Sequence, residues 1–178
     1  MERIKLFTVL SFILFFVSCT NDDLSDLDMA AKASDLIGTW NLIEESQEGV
    51  ASVILQGLPL TGTITSVSKD LNATITFSEN PSVLTATGSY TETITATFAT
   101  LTRTEEIPVV LNNELSQGAW SLNQGVISLS GGNEMQAINI VELTGSTLKI
   151  EIPIVRNVIL EGNNVGLDTT IKMTFSKQ

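Results

Sequence analysis

The sequence predicts an all-β fold: an antiparallel up-and-down β-barrel of about eight to ten strands over residues 35–178. Three observations carry that expectation. Apolar and polar residues alternate with a period of two along most of the chain, as in Ile94, Ala96 and Phe98 against Thr93, Thr95 and Thr97. The alternating runs are separated by short turns rich in Gly, Asn, Ser and Pro. No run keeps helical periodicity long enough for a long helix. Antiparallel strands must hide one face and protect their edges, and closure into a barrel removes the edges.

The chain before residue 35 has a different chemistry. Arg3 and Lys5 precede an apolar run from Leu6 to Val17, the pattern of a secretory signal. At 12 residues the run is short of the roughly 20 that a membrane span needs. Phe16-Val17-Ser18-Cys19 resembles the lipobox of a bacterial lipoprotein. The resemblance implies cleavage before Cys19, a diacylglycerol on its sulfur and a further acyl chain, such as palmitate, on the new amino terminus. Cys19 is the only cysteine, so an internal disulfide is excluded. Residues 1–18 read as the lipoprotein signal peptide and 19–34 as a lipidated, flexible, acidic tether carrying Asp22, Asp23, Asp26 and Asp28. Thr20 stands where an Asp would imply retention in the inner membrane. The expected location is therefore the outer membrane, on its periplasmic or cell-surface face.

Within the domain, Leu36 to Glu44 is a strand pattern opening on Gly38 and Trp40. Residues 49–68 carry no charge, and Val50, Val53 and Ile54 suit one face of a helical turn that Gly57 and Pro59 would end. This segment is the best candidate for a lid or ligand-facing segment, with Val53, Ile54, Leu55 and Leu58 as its apolar contacts; a core-plugging insert or an extra hairpin is the reading favoured over it. Asn72 to Phe77, Val83 to Tyr90, Thr91 to Thr100 and Leu101 to Leu111 read as strands, and Pro108 demotes the last to an edge or a bulged strand. Ala119–Leu122 pairs with Val126–Leu129 across Asn123-Gln124-Gly125, and Ala137–Leu143 with Leu148–Ile154 across residues 144–147. Ile171, Met173 and Phe175 give the final strand its apolar face.

The Gly38-x-Trp40 opening and the Gly118-Ala119-Trp120-Ser121-Leu122 strand with its partner resemble lipocalin-like domains, including those of bacterial lipoproteins. The resemblance spans roughly Leu36 to Lys177. It implies that Gly38 and Trp40 close the barrel base and that the interior holds a small hydrophobic ligand or is filled. Lipocalins often stack an Arg from the last strand on that Trp; here the strand offers only Lys172 and Lys177.

Chemistry is sparse. The absence of histidine removes the commonest metal ligand and general base. No Gly-x-Ser-x-Gly elbow and no calcium-loop spacing occurs, so no catalytic residue, metal site or cofactor is assigned. Glu44-Glu45 and Glu105-Glu106 are adjacent pairs whose members point to opposite faces of a strand, and they read as solvated surface. Arg103 and Arg156 are candidates for fixing a ligand carboxylate at the barrel mouth, or for surface ion pairs. The net charge of -11, or -12 once Glu2, Arg3 and Lys5 are lost, argues against nucleic acid as a partner. The expected function is a lipid-anchored binding or structural module rather than an enzyme. The alternative is a surface interaction or assembly protein that meets another protein or a glycan through a fully packed barrel.

Overall fold

A computed structural model describes residues 31–55, 57–111, 118–130, 136–160 and 163–178. Cys19, the signal segment and most of the tether lie outside the described residues.

Among the described residues a short helix α1 (Ala33–Leu36) leads into nine strands: β1 (Gly38–Leu55), β2 (Leu58–Phe77), β3 (Val83–Phe98), β4 (Leu101–Leu111), β5 (Gly118–Asn123), β6 (Val126–Ser130), β7 (Gln136–Leu143), β8 (Thr147–Leu160) and β9 (Asn163–Lys177). Every pairing is antiparallel. The sheet order is β2-β1-β9-β8-β7-β6-β5-β3-β4, and a β2–β3 pairing closes it into a ring. β4 and β5 run in the same direction along one edge of β3. β4 covers Gly88 to Phe98 and β5 covers Val83 and Leu84. Together they act as one interrupted stave, so the ring alternates up and down as the sequence predicts.

Alternation sets what faces inward. Leu148, Ile150 and Ile152 of β8 and Phe175 of β9 are buried, and Trp40, Ile127 and Leu148 are wholly so. These side chains fill the lower half of the ring. On the outer face, threonines pair across strands, as in Thr95 with Thr104 at 3.0 Å and Thr97 with Thr102 at 3.1 Å. Both tight hairpins have the expected partners. At the first, Gln124 and Gly125 take positive φ angles of 48° and 76°, the turn that suits the twist of a two-residue hairpin. β4 pairs only with β3, the edge position that Pro108 requires.

Residues 49–68 follow the extra-hairpin reading and correct the lid one. They are neither a helical turn nor a lid loop but the upper β1–β2 hairpin, paired without a break from Ser46↔Val67 to Leu55↔Leu58. The helical spacing of Val50, Val53 and Ile54 is outweighed by β-branched residues and threonines that suit a pleated surface, and by a turn at Gly57 with φ 82°. Pro59 is accommodated beside that turn, opposite Ile54.

The base closes on Trp40. Its indole Nε1 donates to the Leu36 carbonyl at 2.8 Å, capping the buried ring with α1. Lys177 places its ammonium 4.9 Å from the ring centroid and also donates to the Asp35 carbonyl at 3.1 Å. Gly38 makes this possible: its φ is 127°, and a Cβ there would sit 3.2 Å from Lys177 Cε. Lysine thus takes the stacking place that the resemblance gives to arginine. Trp120 supports the base from the far side, edge-on to Phe77 at 5.3 Å, with its indole donating to the Ser78 carbonyl at 3.0 Å. Truncating Trp40 to Ala is expected to cost about 3–5 kcal/mol. Lys177→Met should cost about 0.5–2 kcal/mol, the size of a partly desolvated cation–π contact. Equilibrium urea denaturation separates the two, and equal costs would contradict this picture of the base.

Candidate ligand site in the ring interior

The interior above the base is set by two irregularities. In β1 the pairing with β9 slips between Leu42 and Glu44, and the pairing with β2 slips between Asn41 and Ser46. One extra residue moves the inward face from even to odd positions. Trp40 and Leu42 point in below the slip; Glu45, Ala51 and Val53 are the buried positions above it. In β2 a second slip against β3 falls between Lys69 and Asn72, with Asp70 at φ 55°. Below it Ala73, Ile75 and Phe77 are buried; above it Ser66 is buried and Ser68 half-buried. Gly88 opposes this slip at φ 100°, and a Cβ there would fall 2.0 Å from the Asn72 carbonyl oxygen.

These shifts assemble a polar layer inside an apolar ring. Glu45 is 3% exposed and accepts a hydrogen bond from the Ser68 hydroxyl. Ser68 lies directly opposite Glu92 of β3. Tyr90, two residues before Glu92 on the same face, is buried. Ser66 is 4% exposed, and its hydroxyl has no hydrogen-bond partner among the described residues. On the β9 side, Gln47 donates to the buried Thr169 hydroxyl at 2.6 Å. Neither Glu45 nor Glu92 forms a salt bridge among the described residues. Burial therefore holds the Glu45 carboxyl above its ordinary range; the Ser68 hydrogen bond opposes this and the Glu92 charge adds to it. Burial, then the charges of Glu45 and Glu92, push the Tyr90 phenol well above its ordinary value.

Above this layer lies a second apolar cluster, separate from the lower core. Ala51, Val53 and Val165 are buried, with Ile64, Phe98 and Leu167 packed against them. Gly62 admits the Phe98 ring, since a Cβ there would come within 2.7 Å of it. Toward the hairpin tips the inner face stays apolar but loses its cover: Leu58 is 66% and Leu101 72% exposed. The wall is low on one side. β7 pairs with β8 only as far as Glu151, while β8 runs on to Leu160.

The residues singled out in the sequence fall in different places. Val53 lies in the upper cluster. Ile54 is on the opposite, outer face and 68% exposed. Leu55 ends β1, and its side chain is outside the described residues. Leu58 stands at the rim. Arg103 is exposed on the inner register of β4, paired with Glu105 at 2.5 Å. Arg156 is exposed on β8, opposite Leu167. Gly38 and Trp40 are at the base, as expected. Glu45 corrects the reading of Glu44-Glu45 as surface: the slip turns it inward while Glu44 stays exposed. Sequence reasoning also missed Glu92, Tyr90 and Ser66. One signal was available for Glu92, which shares the even register of Ile94, Ala96 and Phe98. No group of three or more acidic, Cys or His residues fit to hold a metal occurs among the described residues.

A family model for lipocalin-like domains matches residues 36–150. The chain belongs to the lipocalin-like family. No curated protein and no solved structure matches the chain. The matched span runs from α1 into β8, and β9 completes the lipocalin-like ring beyond it. Domains of this kind are typically binding modules rather than catalysts, which agrees with a site made of one apolar cluster and one polar layer.

Tyr90 offers a direct test, because it is the only tyrosine. Its raised value in the fold means that the native state keeps the phenolic proton after the unfolded state, titrating near pH 10, has lost it. Stability should therefore fall as pH rises above about 10. Tyrosinate absorbance is expected to emerge only together with alkaline unfolding. A reversible inflection near pH 10 with the fold intact would contradict the burial of Tyr90.

Proposed function

We propose that this protein is a lipid-anchored lipoprotein of the outer membrane whose lipocalin-like ring binds a small apolar ligand in its upper interior. The observation that carries the binding reading is the inner face of the long hairpins. Apolar side chains continue past the packed core, from Val53 and Val165 to Leu58, Leu60 and Leu101, and the last three are left exposed. Apolar surface left open on a concave face is what a hydrophobic ligand covers. The anchor rests on the lipobox-like Phe16-Val17-Ser18-Cys19 and on the net charge of -11, which gives an anionic membrane no electrostatic hold on the chain. Two or three acyl chains would hold the protein firmly.

A second reading has its own observation. Val50, Ile54, Val67 and Val155 are exposed on the outer face of the same hairpins, a surface suited to another protein. Protein purified from its own host and weighed by native mass spectrometry distinguishes the two. A retained small apolar molecule is expected, whereas a consistently empty domain with a co-purifying protein would favour the second. For the anchor, Cys19→Ser should move the protein from the envelope pellet to the soluble fraction. A variant that pellets as wild type does would overturn lipid attachment.

A further inference from the structure

The polar layer beneath the upper cluster points to the kind of ligand. Two carboxylates, Glu45 and Glu92, flank Ser68 on the inner face of three adjacent strands. Adjacent strands are about 4.8 Å apart, so the two backbones stand roughly 10 Å apart with Ser68 between them. The groups directly opposite them are neutral, and the nearest inner-register charges of β4, Glu105 and Arg103, pair with each other. β2 contributes Ser66 and Ser68, β3 contributes Tyr90, and β9 brings Met173 opposite Glu45 and Ile171 opposite Gln47. β4 places Ile107 opposite Glu92. The basic residues on the inner register lie elsewhere: Lys177 at the base over Trp40, and Arg103 and Arg156 toward the tips.

A buried carboxylate without a cation is costly, and so is a buried hydroxyl without a partner. Ser66 is the second, independent sign. It lies one step above Ser68 on the inner face, opposite Gln47, and its oxygen is satisfied by nothing among the described residues. A ligand bringing a positive charge and N–H donors would meet both needs: Glu45 and Glu92 would receive the charge and Ser66 Oγ would accept a donor. Directly above, Ala51, Val53 and Val165 continue as apolar lining.

We infer that the ring binds an amphiphile with a protonated amine head, the head seated among Glu45, Glu92 and Ser66 and the apolar tail in the Ala51–Val53–Val165 cluster. This inference rests on the apolar-ligand reading above and specifies the head group. With one chain length, the head alone is varied: decylamine, decanol and decanoate are titrated into the protein by calorimetry. Decylamine should bind about ten- to hundredfold tighter than decanol, the size of a charge-assisted hydrogen bond, and decanoate most weakly. The paired substitution Glu45→Gln/Glu92→Gln should remove the amine preference, bringing decylamine to the level of decanol. Glu79→Gln/Glu151→Gln removes the same charge from outside the ring and should leave the preference intact, which separates the site from the general attraction of an acidic protein. If the interior pair fails to fold, Glu92→Gln alone should lower the preference. Decanol binding as tightly as decylamine overturns the inference and leaves the apolar-ligand reading standing. A preference that survives the interior substitutions, or falls equally with the exterior ones, also overturns it. Failure of all three probes to bind overturns both.

Discussion

One extra residue in β1 governs most of what is distinctive here. Below the slip between Leu42 and Glu44, the strand shows Trp40 and Leu42 to the core. Above it, the same strand shows Glu45, Ala51 and Val53. Because side chains alternate strictly along a strand, a single insertion exchanges the two faces for every residue beyond it. β1 pairs with β2 on one edge and β9 on the other, so its change of phase falls within the continuous wall of the ring.

The second slip, at Asp70 in β2, is a separate irregularity against β3. The slip in β1 does not require it, since β9, the other neighbour of β1, keeps one inward phase from Phe175 to Val165. The result is an interior in two parts. The lower part is a filled core closed by Trp40, whose indole N–H is held at the ring edge by the Leu36 carbonyl and whose face is covered by Lys177. The upper part is a smaller apolar cluster on hairpins that outrun the wall of β5, β6 and β7. Between them sit carboxylates that a continuous apolar core would have excluded. Exposed ion pairs, such as Lys69 with Glu106 at 2.6 Å, add little to stability beside these buried terms.

Much of the fold was legible because period-two alternation reports burial directly. The β7–β8 hairpin and the last strand followed from Leu148, Ile150 and Ile152 and from Phe175, and Gly38 and Trp40 marked the base. Pro108 marked an edge because an imino nitrogen cannot donate to a ladder. The site was mostly illegible for one reason. Alternation read forward from Trp40 puts Glu44 inside and Glu45 outside, and nothing in the local sequence announces the slip that reverses them. The helical reading within residues 49–68 failed differently: Val50, Val53 and Ile54 fit a helical face by spacing alone, while their strand identity depends on Thr63, Leu60 and Pro59 of β2 and, for Val50 and Val53, on partners more than a hundred residues away in β9.

The central claim is that Glu45 lies inside the ring beside Glu92, out of water. Carbon-13 NMR titration of the Glu45 side-chain carboxyl, assigned by its loss in Glu45→Gln, measures this directly. The account requires a midpoint above the ordinary 4.5, lowered when Glu92 is replaced by Gln. A midpoint at or below 4.5 that ignores Glu92 would mean a solvated surface carboxylate, and the phase change in β1 would have to be abandoned.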